Sequence, residues 1–380
     1  MLQNQINSAV REALDKLLSE EGFRNYSGPH CEQLAAQLSA RLDADHVLLC
    51  SSGTAALELA LRAAGIEAGD EVLLSAYDYP GNFWAVERVG ARPLLVDVEP
   101  GSWCIAVDHL SRAWDADPAP KLKAVVVSHL HGQLQDIPAL RAWCELRQLV
   151  LIEDACQALG ASLAGRPVGS LGNASIISFG GSKLLSSGRG GALLTSDAGL
   201  AQRAKKFSGG GSGPYALSEL QATAVVAQLP WVDAIVQSGR HFFEELASYL
   251  PMQQIVSAPF TSQLAETSFY QAGLLCSMAQ PSQTTASRPP LAESANADRV
   301  AQVAMQQASV IEALRQAGVP AGEGFAGFHR RSSRRCRQWQ PLQQTALIAA
   351  GTCTIHFSAA LNRQVTPRQI ARVLSRLNSG

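Results

Sequence analysis

The 380-residue sequence contains no Cys-x-x-Cys pair. Its eight cysteines (31, 50, 104, 144, 156, 276, 336 and 353) are scattered, which argues against a zinc knuckle, any other metal site or a disulfide framework. Most of them read as small core residues. Net charge is also nearly absent, because 31 Lys and Arg balance 32 Asp and Glu, so no overall field favours nucleic acid or an anionic membrane as a partner. No apolar run reaches transmembrane length. The amino terminus, "MLQNQINSAVREALDKLLSEEGF", reads as an amphipathic helix rather than a basic segment followed by an apolar core, so a cytoplasmic protein is expected. Lysine is scarce, with six in the chain.

Apolar residues make up 47% of the chain, which is ample for a large core. Seven short β-like runs separated by helical patterns or loops fill the first half: "HVLLC" (46–50), "EVLLS" (71–75), "RPLLVDV" (92–98), "KAVVVSHL" (123–130), "LVLIEDA" (149–155), "ASIISF" (174–179) and "GALLTS" (191–196). Most are continuously apolar rather than alternating, as in a mainly parallel sheet buried on both faces, so the fold class is α/β. "TAALELALRAAG" (54–65) reads as a helix stopped by Gly65, and "SELQATAVVAQL" (218–229) as another. Beyond this point β-like runs become sparse. The Ser/Thr/Pro/Ala-rich stretch 277–299 reads as a loop, 299–318 as a helix, and Thr366 as the N-cap of a last helix that begins with Pro367. A large domain over 1–235 and a smaller one over 236–380 are expected.

Ligands of open parallel sheets bind beyond the carboxyl ends of the strands, and three motifs fall there. In "CSSGTAAL" (50–57), Gly53 permits close backbone approach, and the amides of Gly53, Thr54 and Ala55 form a cup suited to a phosphate. An ordinary N-cap is the rival reading. No Gly-Lys-Ser/Thr follows, so this is not a Walker loop. In "LIEDACQALG" (151–160), Asp154 ends an apolar strand and Gln157 follows. A carboxylate there needs a cationic or hydrogen-bonding partner, such as a protonated pyridine nitrogen, unless it merely caps the next helix. In "SFGGSKLLSSGRGG" (178–191), Ser178 and Lys183 follow another strand, and small, apolar neighbours suit a neutral amine able to form a Schiff base. A snorkelling surface lysine would look similar. A phosphate cup, a pyridinium partner and an amine are together what pyridoxal 5′-phosphate (PLP) needs.

These motifs, with "GDEVLLSAYDY", "GARPLLVDVEP", "SHLHGQLQDIPAL" and "LSELQATAVVAQL", occur in the order seen in the DegT/DnrJ/StrS sugar aminotransferases, and over roughly residues 25 to 230 the chain resembles that family. The resemblance implies PLP fold type I, like aspartate aminotransferase, with a mainly parallel seven-stranded sheet and a smaller C-terminal α+β domain. It implies that Lys183 holds PLP as a Schiff base and that Asp154 pairs with the ring nitrogen. It further implies that Gln157 lies against the ring, that Thr54, its neighbouring amides and Ser178 bind the phosphate, and that Tyr79 stacks on the cofactor. Tyr79 as plain core packing is the reading without the resemblance. A homodimer with active sites at the interface is also implied.

Several departures fall on the substrate side. Leu184 stands where the family has a polar residue, and Arg189 where it has an acid; Arg189 could hold a carboxylate or pair with an acid on the surface. Pro214 and Ala216 replace the Asn and Arg of an Asn-Tyr-Arg stretch that contacts the partner's phosphate. Between His329 and Arg337 lie five arginines, and His329 and Arg331 are candidates for a wall attracting an anionic substrate, against a solvated basic face. The leading expectation is transfer of an amino group from glutamate or glutamine to a keto or aldehyde acceptor in a specialised pathway. Another PLP-dependent reaction (a lyase, synthase or dehydratase) and a non-catalytic sensor or partner are the alternatives. The family's dehydratases replace the lysine with histidine, so Lys183 argues against that branch.

Overall fold

All seven apolar runs become strands; most bury both faces, while the first, over 46–50, keeps Val47 and Leu49 half-buried. A computed structural model of the chain describes residues 2–250, 255–263, 266–277, 293–362 and 365–377. It contains β1 (His46–Cys50), β2 (Glu71–Ser75), β3 (Arg92–Val96), β4 (Leu122–Ser128) and β5 (Val150–Asp154). A small hairpin, β6 (Ser162–Leu163) and β7 (Arg166–Pro167), precedes β8 (Ala174–Ser178) and β9 (Gly191–Thr195). Alternate residues of these strands feed two separate cores. Leu73, Leu94, Val125 and Leu151 pack in one layer, while Val72, Leu74, Leu95, Val126 and Ile152 pack in the other. Each such side chain removed from water contributes roughly 1.5–3 kcal/mol, which is why the uninterrupted apolar runs select the middle of the sheet.

The remaining strands are β10 (Val256–Ser257), β11 (Gln271–Cys276), β12 (Ala321–Glu323), β13 (Arg337–Gln338) and β14 (Thr352–His356). Among the described residues the large sheet has eight strands, ordered β1-β9-β8-β5-β4-β2-β3-β13. From β8 through β13 every pair is parallel, whereas β9 runs antiparallel to both β8 and β1, so β1 points the same way as β8. The eighth strand, absent from the expected seven, comes from the arginine-rich stretch. Its Arg337 guanidinium grips the buried Glu71 carboxylate two-pronged, at 2.9 Å for each contact, and Asp117 at 2.7 Å. Such a fork fixes orientation as well as charge, which explains why so short a strand docks at the sheet edge.

A second sheet, β10-β11-β14-β12, is wholly antiparallel and is flanked by the helices Val232–Tyr249, Glu293–Gln316 and Pro367–Leu377. This is the α+β part expected after the large sheet. Helix Glu293–Gln316 begins inside the stretch read as a loop, its first turns "ESANADR" interleaving the good helix formers Glu, Ala and Arg with weaker ones; residues 278–292 lie outside the described residues. Thr366 caps the last helix, its hydroxyl accepting from Gln369 N at 3.3 Å. No helix among the described residues is long and apolar enough to cross a membrane.

Candidate active site

Four strands end at one place. β1 stops at Cys50, β4 at Ser128, β5 at Asp154 and β8 at Ser178, and the segments that follow them enclose a cavity of about 390 Å³. Gly53, Thr54, Tyr79, Asp154, Gln157, Ser178, Lys183 and Arg189 all line it, so the structure brings together residues spread over more than a third of the chain.

Asp154 is 4% exposed, yet its carboxylate is well supplied with donors. Oδ2 accepts from Asn82 Nδ2 at 2.9 Å and from Ser128 Oγ at 3.1 Å, and Oδ1 accepts from Cys156 N at 2.9 Å. These bonds offset the desolvation that a carboxylate otherwise suffers at the end of an apolar strand. Asn82 comes from the helix Pro80–Arg88, and its side chain also donates to Ser128 Oγ at 3.0 Å. Asp78, on the loop leading to the same helix, is completely buried beside this group. Burial and the neighbouring Asp154 charge push its carboxyl up to about 7.

Glu153 precedes Asp154 on β5 and therefore faces the other side of the sheet. Its completely buried carboxylate accepts from the backbone of Gly169, Leu171 and Gly172, from Ser175 Oγ and from His129 Nε2. Gln135 N donates to His129 Nδ1, which leaves the hydrogen on Nε2 for Glu153. Burial opposes ionisation of Glu153, but the His129 contact and the amides outweigh it and hold the carboxyl below its ordinary value. The strand end that carries Asp154 is thereby clamped from behind.

The helix Gly53–Ala63 points its amino end at the cavity. A Cβ on Gly53 would lie 2.9 Å from Cys156 Sγ and 3.2 Å from Ser178 Cβ, so the close approach of these three segments requires glycine. Gly81 serves the same end, since a Cβ there would overlap the Tyr79 ring and the Thr54 hydroxyl. Ala55 departs from expectation: its amide donates to the N-cap oxygen of Ser52 at 3.0 Å, and Ala55 does not line the cavity. The cup is made by Ser52, Gly53, Thr54 and Ser178.

Lys183 Nζ lies 4.1 Å from the centroid of the Tyr270 ring, which caps the lysine from the second sheet's side. The neighbouring Ser182 is tied down twice, by its hydroxyl 3.3 Å from the Tyr270 hydroxyl and by its carbonyl, which accepts from His356 Nε2 at 3.0 Å. Leu184 is buried in the core, which accounts for an apolar residue at that position. Tyr79 is 45% exposed at the rim, edge-on to Phe325 with centroids 5.8 Å apart, so plain core packing does not describe it. Phe325 reaches the cavity because its amide donates to the Tyr77 hydroxyl at 2.9 Å. That hydroxyl also sits 2.9 Å from His131 Nε2. Burial, with the Lys183 charge adding, holds His131 down to about 3, so the imidazole is neutral. Gln157 Oε1 accepts from His131 N at 3.2 Å.

Arg189 is exposed at the cavity and joins none of the ion pairs among the described residues, so the surface-pairing alternative is not realised. Its neighbour Gly190 bridges to Ser52, which seats the arginine beside the cup. His329 and Arg331 do not line the cavity. The Arg331 guanidinium lies 5.3 Å from the centroid of Phe83, Arg335 pairs with Glu87 and Arg337 with Glu71. Arg335 and Arg337 thus tie this stretch to the edge of the large sheet, and none of residues 329–337 lines the cavity. Asn82, Ser128, Tyr270 and Phe325 were not apparent from sequence. Only Asn82, a polar residue in the first turn of a helix and next to a glycine, carries a local signal.

Among curated proteins, the chain is 32% identical over 247 residues to the pleiotropic regulatory protein of Geobacillus stearothermophilus, covering 62% of this chain and 65% of that protein. It is 34% identical over 241 residues to a putative L-glutamine:3-amino-2,3-dideoxy-scyllo-inosose aminotransferase of Streptomyces kanamyceticus, covering 58% and 57%. The chain therefore spans roughly six tenths of the length of these relatives. A solved structure of a DegT DnrJ EryC1 StrS aminotransferase from Brucella abortus superposes with a TM-score of 0.81 at 21% identity, covering 99% of this chain and 96% of the other, which establishes the shared fold. The sequence signature of one family extends from residue 4 to residue 377, across both sheets and every side chain that lines the cavity. The chain belongs to the DegT/DnrJ/EryC1/StrS aminotransferase family.

Proposed function

We propose that this protein is a PLP-dependent aminotransferase that moves an amino group from glutamate or glutamine to a keto or aldehyde acceptor in a specialised biosynthetic pathway. The observation that carries the reading is the convergence of a donor-saturated buried carboxylate, Asp154, and an amine, Lys183, on one cavity beside a glycine-relieved helix amino end. The residues fit PLP as a donor set. Asp154 would face the ring nitrogen, Gly53, Thr54 and Ser178 would take the phosphate, Gln157 and Tyr79 would flank the ring, and Lys183 would bond the aldehyde carbon. When bound, PLP supplies an electron sink that loosens a proton on the carbon bearing the substrate's nitrogen.

The chain's own residues do the rest. Asn82, Ser128 and the Cys156 amide hold the Asp154 carboxylate oriented, ready to pair with a proton on the ring nitrogen. Lys183 Nζ, under the Tyr270 ring, is the group that takes and returns the substrate proton. Phe325 and Tyr79 shield the cavity mouth from water. Arg189, in no ion pair among the described residues, binds a carboxylate of the donor or acceptor. The glutamine donor and a cyclitol-like acceptor class are supported by the activity for which the Streptomyces relative is named. A cytoplasmic homodimer completes the reading, and the eight free cysteines suit a reducing compartment.

The test is a single half-reaction of the PLP-loaded protein with glutamine labelled at its α-nitrogen. Label retained on the protein-bound cofactor supports amino transfer. Label released as ammonia would replace this reading with a lyase, and the absence of any reaction with glutamine or glutamate would replace it with a non-catalytic role. Arg189→Ala should raise KM for the carboxylate substrate far more than it lowers kcat.

A further inference from the structure

Asp78 is a completely buried carboxyl that takes no part in the chemistry proposed above. Its Oδ1 accepts from the amide of Tyr79 at 2.7 Å, but Oδ2 is enclosed and meets no hydrogen-bond partner among the described residues. The nearby donors are already committed. Asn82 gives one amide hydrogen to Ser128 Oγ and the other to Asp154 Oδ2, and the Ser128 hydroxyl hydrogen also goes to Asp154 Oδ2. A half-satisfied buried carboxyl is costly, and such groups are retained where a charge is needed at some stage of function.

We propose that Asp78 is a second carboxyl of the ring-nitrogen site, releasing its proton to solvent when a cationic pyridine ring binds at Asp154, so that the pair of carboxylates holds the positive charge. The inference rests on the proposed PLP site. Asp78 is a positioning residue, because it acts through Asp154 and not on the ring directly. The groups that face it are Asp154 and Cys156 from the end of β5, Ser128 from β4, Asn82 from the helix Pro80–Arg88, and Tyr77 and Tyr79 from its own loop. Burial raises both Tyr77 and Cys156, so they stay neutral through the range in which Asp78 titrates. Lys183 acts on this cluster through its charge near Cys156 and is common to every variant compared. Burial and the Asp154 charge poise Asp78 near neutrality, against the smaller opposing pull of Ser128, the Tyr79 amide and Asn82. A cation at Asp154 removes the second of these causes and favours the ionised form.

The experiment measures binding of 4′-deoxypyridoxine 5′-phosphate, which has the ring nitrogen and phosphate but no aldehyde, to the wild-type chain and to Asp78→Asn. The two proteins should bind alike at about pH 5.5, and the wild type about tenfold more tightly at about pH 8.5, as expected when binding lowers the pKa of one carboxyl by about one. A wild-type to variant ratio that is constant across this range overturns the inference while leaving the cofactor reading intact. Failure of the wild type to bind the probe at any pH overturns the cofactor reading itself. Should Asp78→Asn not fold, calorimetry of the wild type near pH 7 in two buffers of different ionisation enthalpy decides the matter: proton release beyond that of the probe supports the inference, and its absence overturns it.

Discussion

Glu153→Gln removes the charge from a side chain that is completely buried and accepts five hydrogen bonds. Glutamine keeps one acceptor oxygen and turns an NH₂ group toward N–H donors, so at least two of the five donors lose their acceptor. At roughly 1–3 kcal/mol for each stranded donor the loss is about 2–6 kcal/mol, a large share of the 5–15 kcal/mol by which ordinary domains are stable. Urea unfolding followed by far-ultraviolet circular dichroism reads this directly. The linkage sign adds a second check. The folded carboxyl lies below its ordinary value of 4.5, so its stabilisation is complete above that value and is lost as pH falls through the folded value; the wild type should lose its advantage over the variant in acid. A loss below about 1 kcal/mol at neutral pH, or an advantage that persists at low pH, would refute the idea that Glu153 clamps the β5 end.

Gly53→Ala should fold but weaken PLP binding by tenfold or more, because the added Cβ would sit 2.9 Å from Cys156 Sγ and push apart the walls of the cup; equilibrium titration with PLP checks it. Asp78 makes a prediction for stability in the absence of cofactor. Its carboxyl is raised from 3.8 to about 7, so the folded state holds a proton that the unfolded chain has lost, and wild-type stability falls as pH rises through that window. The fall amounts to about 4 kcal/mol, at roughly 1.4 kcal/mol for each pH unit crossed. Asp78→Asn should lack it, gaining in thermal midpoint on the wild type between about pH 4 and about pH 7, and equal slopes of midpoint against pH would contradict this.

Elements whose signal is local are legible in the sequence alone. Apolar continuity places β1 to β5, β8 and β9, and strand-end position singles out Asp154, Ser178 and Lys183, all of which meet at the cavity. What escapes depends on contacts between distant parts of the chain. Arg337 reads as one of a run of arginines until Glu71, 266 positions away, claims it and creates β13. Tyr270 and Phe325 look like core aromatics in a region with sparse β patterning, and only the packing of the second sheet against the first brings them to Lys183 and Tyr79. In "CSSGTAAL" the outward amide assigned to Ala55 is taken by Ser52, a competition between capping and ligand binding that two consecutive serines cannot resolve alone. The pair Glu153 and Asp154 shows the same limit within two residues. Strand alternation sends the two carboxyls to opposite faces of the sheet, but only the donors around each distinguish the clamp from the carboxyl that lines the cavity.

If Lys183 bonds the aldehyde of PLP, the bond should be visible by absorption and trapped by reduction. The purified protein is supplied with PLP, its absorption spectrum is recorded, and it is then treated with borohydride and mapped by peptide mass. An absorption band at about 420 nm should appear and vanish on reduction, with the adduct on Lys183 and absent in Lys183→Ala. Neither band nor adduct, or an adduct on one of the other lysines with Lys183 unmodified, would contradict it.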